Sequence, residues 1–119
     1  MAQQRRVYRV AEKIREIISR NLLRVGDERF HMVTISAATV SPDLRHAKIY
    51  WYATAGKERL QEVEEAFEQT AHILKKALAA ELNTRFVPAI RFYYDETLDA
   101  ADEIEILLAK ARAKEAKGA

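Results

Sequence analysis

The chain has 119 residues, 49% of them hydrophobic and 32% charged, with a formal net charge of +2. That length builds one core and not two ordinary ones, and so small a net charge names no partner by itself. The absence of cysteine excludes disulfides, thiolate metal sites and thiol catalysis and suits a reducing cytoplasm, while no run approaches the roughly 18 apolar residues that span a bilayer.

The first element is a helix. Val7, Val10, Ala11, Ile14, Ile17, Ile18, Leu22 and Val25 repeat at helical spacing, and Arg5, Arg6, Arg9, Lys13, Arg20 and Arg24 occupy much of the other face. Glu12 and Glu16 interrupt the basic start, and the apolar stripe runs too far for a transit peptide, so the segment reads as mature structure. Gly26-Asp27 supplies the stop, because glycine accepts the left-handed conformation that closes a helix.

Two alternating runs joined by Ser41-Pro42-Asp43 then predict a β-hairpin. Alternation places Val33, Ile35 and Ala37 on one face of the first strand and Thr34 and Ser36 on the other. In the second strand it sets Ala47, Ile49 and Trp51 against His46, Lys48, Tyr50 and Tyr52. Trp51 is assigned to the core, and Pro42 to the connection because it cannot donate to a ladder.

A long helical segment follows from Lys57, with Leu60, Val63, Phe67, Ala71, Leu74, Leu78 and Leu82 as its stripe. At about 26 residues it exceeds the usual helix of roughly 11 or 12, so it is one long helix or two with a bend. Its acids (Glu58, Glu62, Glu64, Glu65, Glu68) precede Lys75 and Lys76, an order that already suits the helix dipole. A third strand carries Ile90 and Phe92 on one face and Arg91 and Tyr93 on the other; a last amphipathic helix has Ile104, Leu107, Leu108 and Ala111 in register. The Ala/Lys-rich end has no apolar stripe and is expected to fray. Residues 1–109 are thus expected to form one domain, with 110–119 as a basic tail. A third strand must join the hairpin, since two strands alone are marginal, and helices covering one face of that sheet make a two-layer α+β sandwich.

The stretches RVAEKIREIISRNL, Asp27-Glu28-Arg29-Phe30, VTISAATVSPDLRHAKIYW and TRFVPAIRFYYDET followed by IEILL resemble the ribosome-binding factor A family, in that family's order and spacing from Arg6 to about Leu108. The resemblance implies a KH-like fold of type II, αββααβ, that lacks the GxxG loop and has a bent helix–helix junction in its place, plus a C-terminal helix. The glycines here are Gly26, Gly56 and Gly118, so no GxxG exists. The junction region, Lys75-Lys76-Ala77-Leu78-Ala79, has alanine where the family often has glycine, and Glu28 stands where the family has proline. The resemblance further implies a monomeric cytoplasmic factor that binds the immature 30S subunit. Such a factor assists late maturation of 16S rRNA and its precursor near the 5′ end and is important in the cold. Ribosomal proteins and an assembly GTPase are further partners it implies.

The residues themselves point to a polyanion surface, with Arg45, Lys48, Arg85 and Arg91 set among aromatics. The candidate RNA contacts are Arg9, Lys13 and Arg20 on the first helix, Arg45 and Lys48 in the hairpin, Lys75 and Lys76 at the expected junction, and Arg85 before the third strand. Clustered cations attract phosphates without regard to sequence; as bland alternatives, lysines late in a helix offset its dipole and strand-edge charges discourage aggregation. Tyr50, Tyr52, Tyr93 and Tyr94 are able to stack on unpaired bases, though packing is expected for at least half of them. His31, His46 and His72 lie on separate elements and make no metal set, and no cofactor is implied. Asp95 with Asp99, or Asp102 with Glu103, sit at a helix start, where capping explains them without chemistry. With no nucleophile, base and charge-stabiliser set and no phosphate-binding glycine loop, the reading is a non-enzymatic RNA-binding factor. The alternative is a small module that docks on a ribosomal protein or GTPase without touching RNA.

Overall fold

The computed structural model describes the backbone of residues 2–118 and the side chains of residues 4–97 and 104–114. Helix α1 (Ala2–Val25) leads through a 3₁₀ turn at Glu28–Phe30 into strands β1 (Val33–Val40) and β2 (His46–Ala53). A second 3₁₀ turn at Gly56–Arg59 opens helix α2 (Leu60–Glu81), followed by strand β3 (Ala89–Tyr94) and helix α3 (Glu96–Gly118). Gly26 ends α1 at φ +72 with nothing within 4 Å of the position a Cβ would take, so glycine serves the backbone angle there and not a close approach.

The sheet order is β1-β2-β3. The hairpin pairs β1 and β2 antiparallel, closed by Ser41 N donating to His46 O at 2.9 Å and Leu44 N to Ser41 O at 2.8 Å. β3 pairs parallel with β2, because α2 has carried the chain back along the sheet before the third strand begins. Both α1 and α2 cover one face. Ile14, Ile17 and Ile18 from α1 meet Ile35, Ile49 and Trp51 of the sheet and Val63, Phe67 and Leu74 of α2, all buried. Phe67 is the hub: its ring stacks on Phe92 (centroids 4.0 Å apart, planes 12° apart) and meets Phe30 at 4.9 Å and Trp51 at 5.9 Å. Each large side chain so buried contributes about 1.5–3 kcal/mol relative to exposure. Among the described residues the buried polar Asn21 and Thr70 are both hydrogen-bonded: Asn21 Nδ2 donates to Ile17 O at 2.7 Å and Glu81 Oε2 at 3.1 Å, and Thr70 Oγ1 to Ala66 O at 2.7 Å.

Three features depart from simple periodicity. In β1 the register slips by one residue at Ser36: Ile35 pairs with Trp51, but Ala37 pairs with Tyr50. Ala37 therefore joins the outer face, and Ala38 and Val40 turn inward against the core. Strict alternation placed Ala37 inside; a bulge adds one residue and reverses the phase beyond it. α2 runs without interruption through Lys75–Ala79, so a 3₁₀ turn and one helix separate β2 from β3, and no helix–helix junction falls at those lysines. Alanine, the best helix former, stands there in place of glycine. α3 continues helical across position 109 to Gly118, and its apolar stripe is not packed away: Ile104, Leu107 and Leu108 are all half exposed or more.

Candidate nucleic-acid interface

The Asp27–Phe30 segment sets the geometry of the loop after α1. Asp27 accepts from the Arg29 backbone N at 2.9 Å and, through both carboxylate oxygens, from the Arg29 guanidinium at 3.0 and 2.7 Å. The Arg29 side-chain bond, with the backbone bond behind it, holds the Asp27 carboxyl below its ordinary range. Arg29 also reaches Gln69 Oε1 on α2 at 2.7 Å, and Arg59 donates to the carbonyls of Arg29 and His31. These arginines are occupied in joining the loop to α2.

The outer face of the sheet is different. Register places Lys48 of β2 directly beside Arg91 of β3, with Thr39 on the other flank, and Tyr50 beside Tyr93. Lys48 and Arg91 are exposed, and among the described residues neither takes part in an ion pair. Glu64 and Glu68 line a groove that also includes Arg91 and Tyr93, yet they do not close on that cation. Like charges registered side by side on neighbouring strands are destabilising, and among the described residues no ion pair neutralises either one. The Tyr50 and Tyr93 rings lie 5.8 Å apart beside it. Tyr94 turns inward to meet Trp51 edge-on at 5.0 Å and Tyr52 at 6.2 Å. Packing thus engages all four tyrosines to some degree, and Tyr93 remains exposed.

At the end of the sheet where β2 and β3 begin, three segments far apart in the chain converge on a cleft of about 310 Å³. Arg6 and Val7 come from α1, residues 42–45 from the hairpin turn, and Thr84, Arg85 and Phe86 from the connection into β3. The walls are braced. Ala89 N donates to Arg45 O at 2.8 Å, Thr84 Oγ1 to Phe86 O at 2.8 Å, and Pro88 is fully buried. Asp43 is engaged within the turn: it accepts from Ser41 Oγ at 2.6 Å and Arg45 N at 3.1 Å, and the Ser41 bond leads in holding its carboxyl below the ordinary range. Arg6, Arg45 and Arg85 form no ion pair among the described residues. The Arg85 guanidinium lies over the Phe86 ring, 5.4 Å from its centroid, and Phe86 is 63% exposed.

Every cation singled out in the sequence is exposed, but they do not form one site. Arg45 and Arg85 meet in the cleft, and Lys48 lies on the sheet face. Arg9 borders a shallow groove with Gln4, Arg5 and Tyr8 on α1, while Lys13 lines none of the described grooves. Arg20 is paired with Glu81 at 2.8 Å. Lys75 and Lys76 stand on the solvent side of unbroken α2, outside the cleft that holds Arg85. The sequence already groups Arg91 with Arg45, Lys48 and Arg85 as cations among aromatics, and Arg6 with the basic face of the first helix; that Arg6 meets Arg85, and that Phe86 belongs to the surface, depend on which segments the fold brings together. Among the described residues no group of three or more His, Asp or Glu side chains could hold a metal ion.

The mixed sheet with its helices on one face, without a glycine loop and with a basic cleft at one end, is a KH-like α+β domain. The model of the ribosome-binding factor A family matches residues 6–108, and the chain belongs to that family. A ribosome-binding factor A from Polaromonas sp. (strain JS666) is 38% identical over 116 residues, covering 94% of this chain and 91% of the relative. One from Alcanivorax borkumensis is 38% identical over 112 residues, covering 92% and 82%. The crystal structure of ribosome-binding factor A from Thermus thermophilus superposes with a TM-score of 0.66 at 19% identity, over 74% of this chain and 94% of that one. A homology model of T. thermophilus ribosome binding factor A, fitted into the cryo-EM map of a 30S complex, superposes with a TM-score of 0.61 at 20% identity, over 72% and 91%.

Proposed function

We propose that this chain is a non-enzymatic RNA-binding factor that associates with the free, immature 30S subunit in the cytoplasm and assists late maturation of 16S rRNA near its 5′ end, with its greatest importance in the cold. Family membership over residues 6–108 and the T. thermophilus relative fitted into a 30S complex support the setting. The observation that carries RNA contact is the Lys48–Arg91 pair, two unneutralised cations registered side by side on an open sheet face beside Tyr93. A structural role does not account for adjacent like charges, whereas a phosphate backbone does. Such a factor acts by binding one rRNA conformation more tightly than another, which requires differential affinity and no catalytic group.

The cations Arg9, Lys13, Arg20, Lys75 and Lys76 remain proposed contacts of lesser weight, since Arg20 already has Glu81 and the two lysines stand apart from the cleft. A second reading, docking on a ribosomal protein or assembly GTPase without RNA contact, draws on the exposed stripe of Ile104, Leu107 and Leu108 on α3. Cofractionation of the tagged full chain with mature and precursor small subunits tests the assignment. Enrichment on precursor particles is expected, more so in cold-grown cells. Recovery only in the free-protein fraction would overturn it.

A further inference from the structure

The cleft at the start of β2 and β3 sets charge and an exposed aromatic ring around one concavity, whereas the Lys48–Arg91 face is open. Arg6, Arg45 and Arg85 bring three guanidinium groups to it against one carboxylate, Asp43, which the turn already occupies. Phe86 is 63% exposed at the rim of these arginines, and its carbonyl accepts from Thr84 Oγ1 within the same connection. Arg85 lies over its ring, and at that exposure further ring surface stays open. At about 310 Å³ the cleft is at the small end of ligand sites, roughly 300–1,000 Å³. That is room for one base with its sugar.

The geometry points to a capture site for one unpaired nucleotide of a single RNA strand: its base stacks on Phe86, and the phosphates on either side of it take Arg6 and Arg45. Inside a double helix both faces of every base are stacked, so a base reaches Phe86 only from a loop, a bulge or a strand end. Arginine suits the flanks because its planar fork holds two oxygens of one phosphate. The site rests on the RNA-binding reading above and narrows it to single-stranded RNA. A peptide rich in carboxylates would satisfy the arginines without requiring the ring.

The test measures binding of the full chain to a short fluorescent single-stranded oligoribonucleotide, to a blunt RNA duplex of the same length, and to an abasic strand. Phe86→Ala is expected to weaken the single-strand complex about tenfold, a typical loss for one stacked base. It is expected to leave duplex and abasic binding unchanged, whereas Phe86→Trp retains the wild-type preference. Arg45→Gln is expected to weaken all three and to lower the slope of log affinity against log salt by about 0.7 on the single strand. Because Phe86 and Arg45 are both exposed, melting temperatures near that of the wild type separate lost binding from lost folding. If Phe86→Ala binds the single strand like the wild type while the wild-type chain still cofractionates with precursor subunits, the capture site is wrong and the assembly role stands. An acidic peptide that displaces the oligonucleotide equally from wild type and Phe86→Ala would reassign the cleft to a protein. Wild-type chain that binds no RNA and no subunit would remove both readings.

Discussion

Ser36 is the residue at which the alternation of β1 breaks, and its side chain has a use there. The hydroxyl donates to Asp95 Oδ2 at 2.6 Å, with a longer contact of 3.3 Å to Tyr50 O. The other Asp95 oxygen accepts from Thr97 N at 3.0 Å at the start of α3, and Asp95 N donates to Trp51 O at 2.7 Å. One carboxylate thus ties the bulge in β1 to the exit from β3. The Ser36 bond leads in holding the Asp95 carboxyl below its ordinary 3.8, with burial opposing and Thr97 assisting. The folded state therefore prefers the charged form. The stability this contributes is fully present above the ordinary value and is lost as pH falls from there through the lower folded value. Ser36→Ala is expected to cost at most about 1 kcal/mol at neutral pH and to return the Asp95 carboxyl towards 3.8, so that acid removes less of what stability remains. Urea unfolding at neutral and acid pH, together with an NMR titration of the Asp95 carboxyl, measures both. An unchanged Asp95 titration would show that the serine does not hold it.

At the scale of elements, what was legible followed from strong patterns. α1, the hairpin turn and β3 were all readable, because long apolar side chains at helical or alternating spacing admit one burial solution. The bulge was not readable: Ser36, Ala37 and Ala38 are small, and either face of the sheet accepts them, so the pattern loses its phase within that run. For α2, composition and resemblance pointed in different directions. The family's junction predicts a break near Lys75–Ala79, whereas the alanines there favour a continuous helix, and the helix is continuous. Its continuity makes a prediction that separates the two. Ala79 is exposed, so replacing it touches no packing. Ala79→Gly is expected to cost about 1 kcal/mol, the ordinary penalty for glycine inside a helix, read from urea denaturation midpoints. At a junction with a left-handed residue the same change would be neutral or stabilising, and that result would locate a break the backbone does not show.

On the scale of the whole molecule, a net charge of +2 conceals a separation of signs. The acids Glu62, Glu64, Glu65 and Glu68 gather on the solvent side of the first half of α2, with Glu58 in the turn before it, whereas Arg6, Arg45, Arg85, Lys48 and Arg91 occupy the cleft and the open sheet face. Composition reports only the sum, and the convergence of Arg6 with Arg85 needs a fold to bring the two together; this part of the site was out of reach of the sequence. The radius of gyration, 17.8 Å, exceeds the roughly 13–14 Å of a compact chain this long, as expected with α3 leaving so much of its apolar stripe unpacked. Polyanion binding by one basic region differs from binding by scattered cations in a measurable way. Each phosphate neutralised adds a fixed increment to the salt dependence, about 0.7 for a single strand. Lys48→Glu with Arg91→Glu is therefore expected to weaken binding to precursor subunits at least tenfold and to flatten the slope of log affinity against log salt by about 1–2. Lys75→Glu with Lys76→Glu removes as much charge from a helix face outside that region and is expected to have the smaller effect on both. Sedimentation binding assays across a salt series compare the two double variants directly. If the α2 pair proves the more damaging, the RNA lies along the helix and not across the sheet.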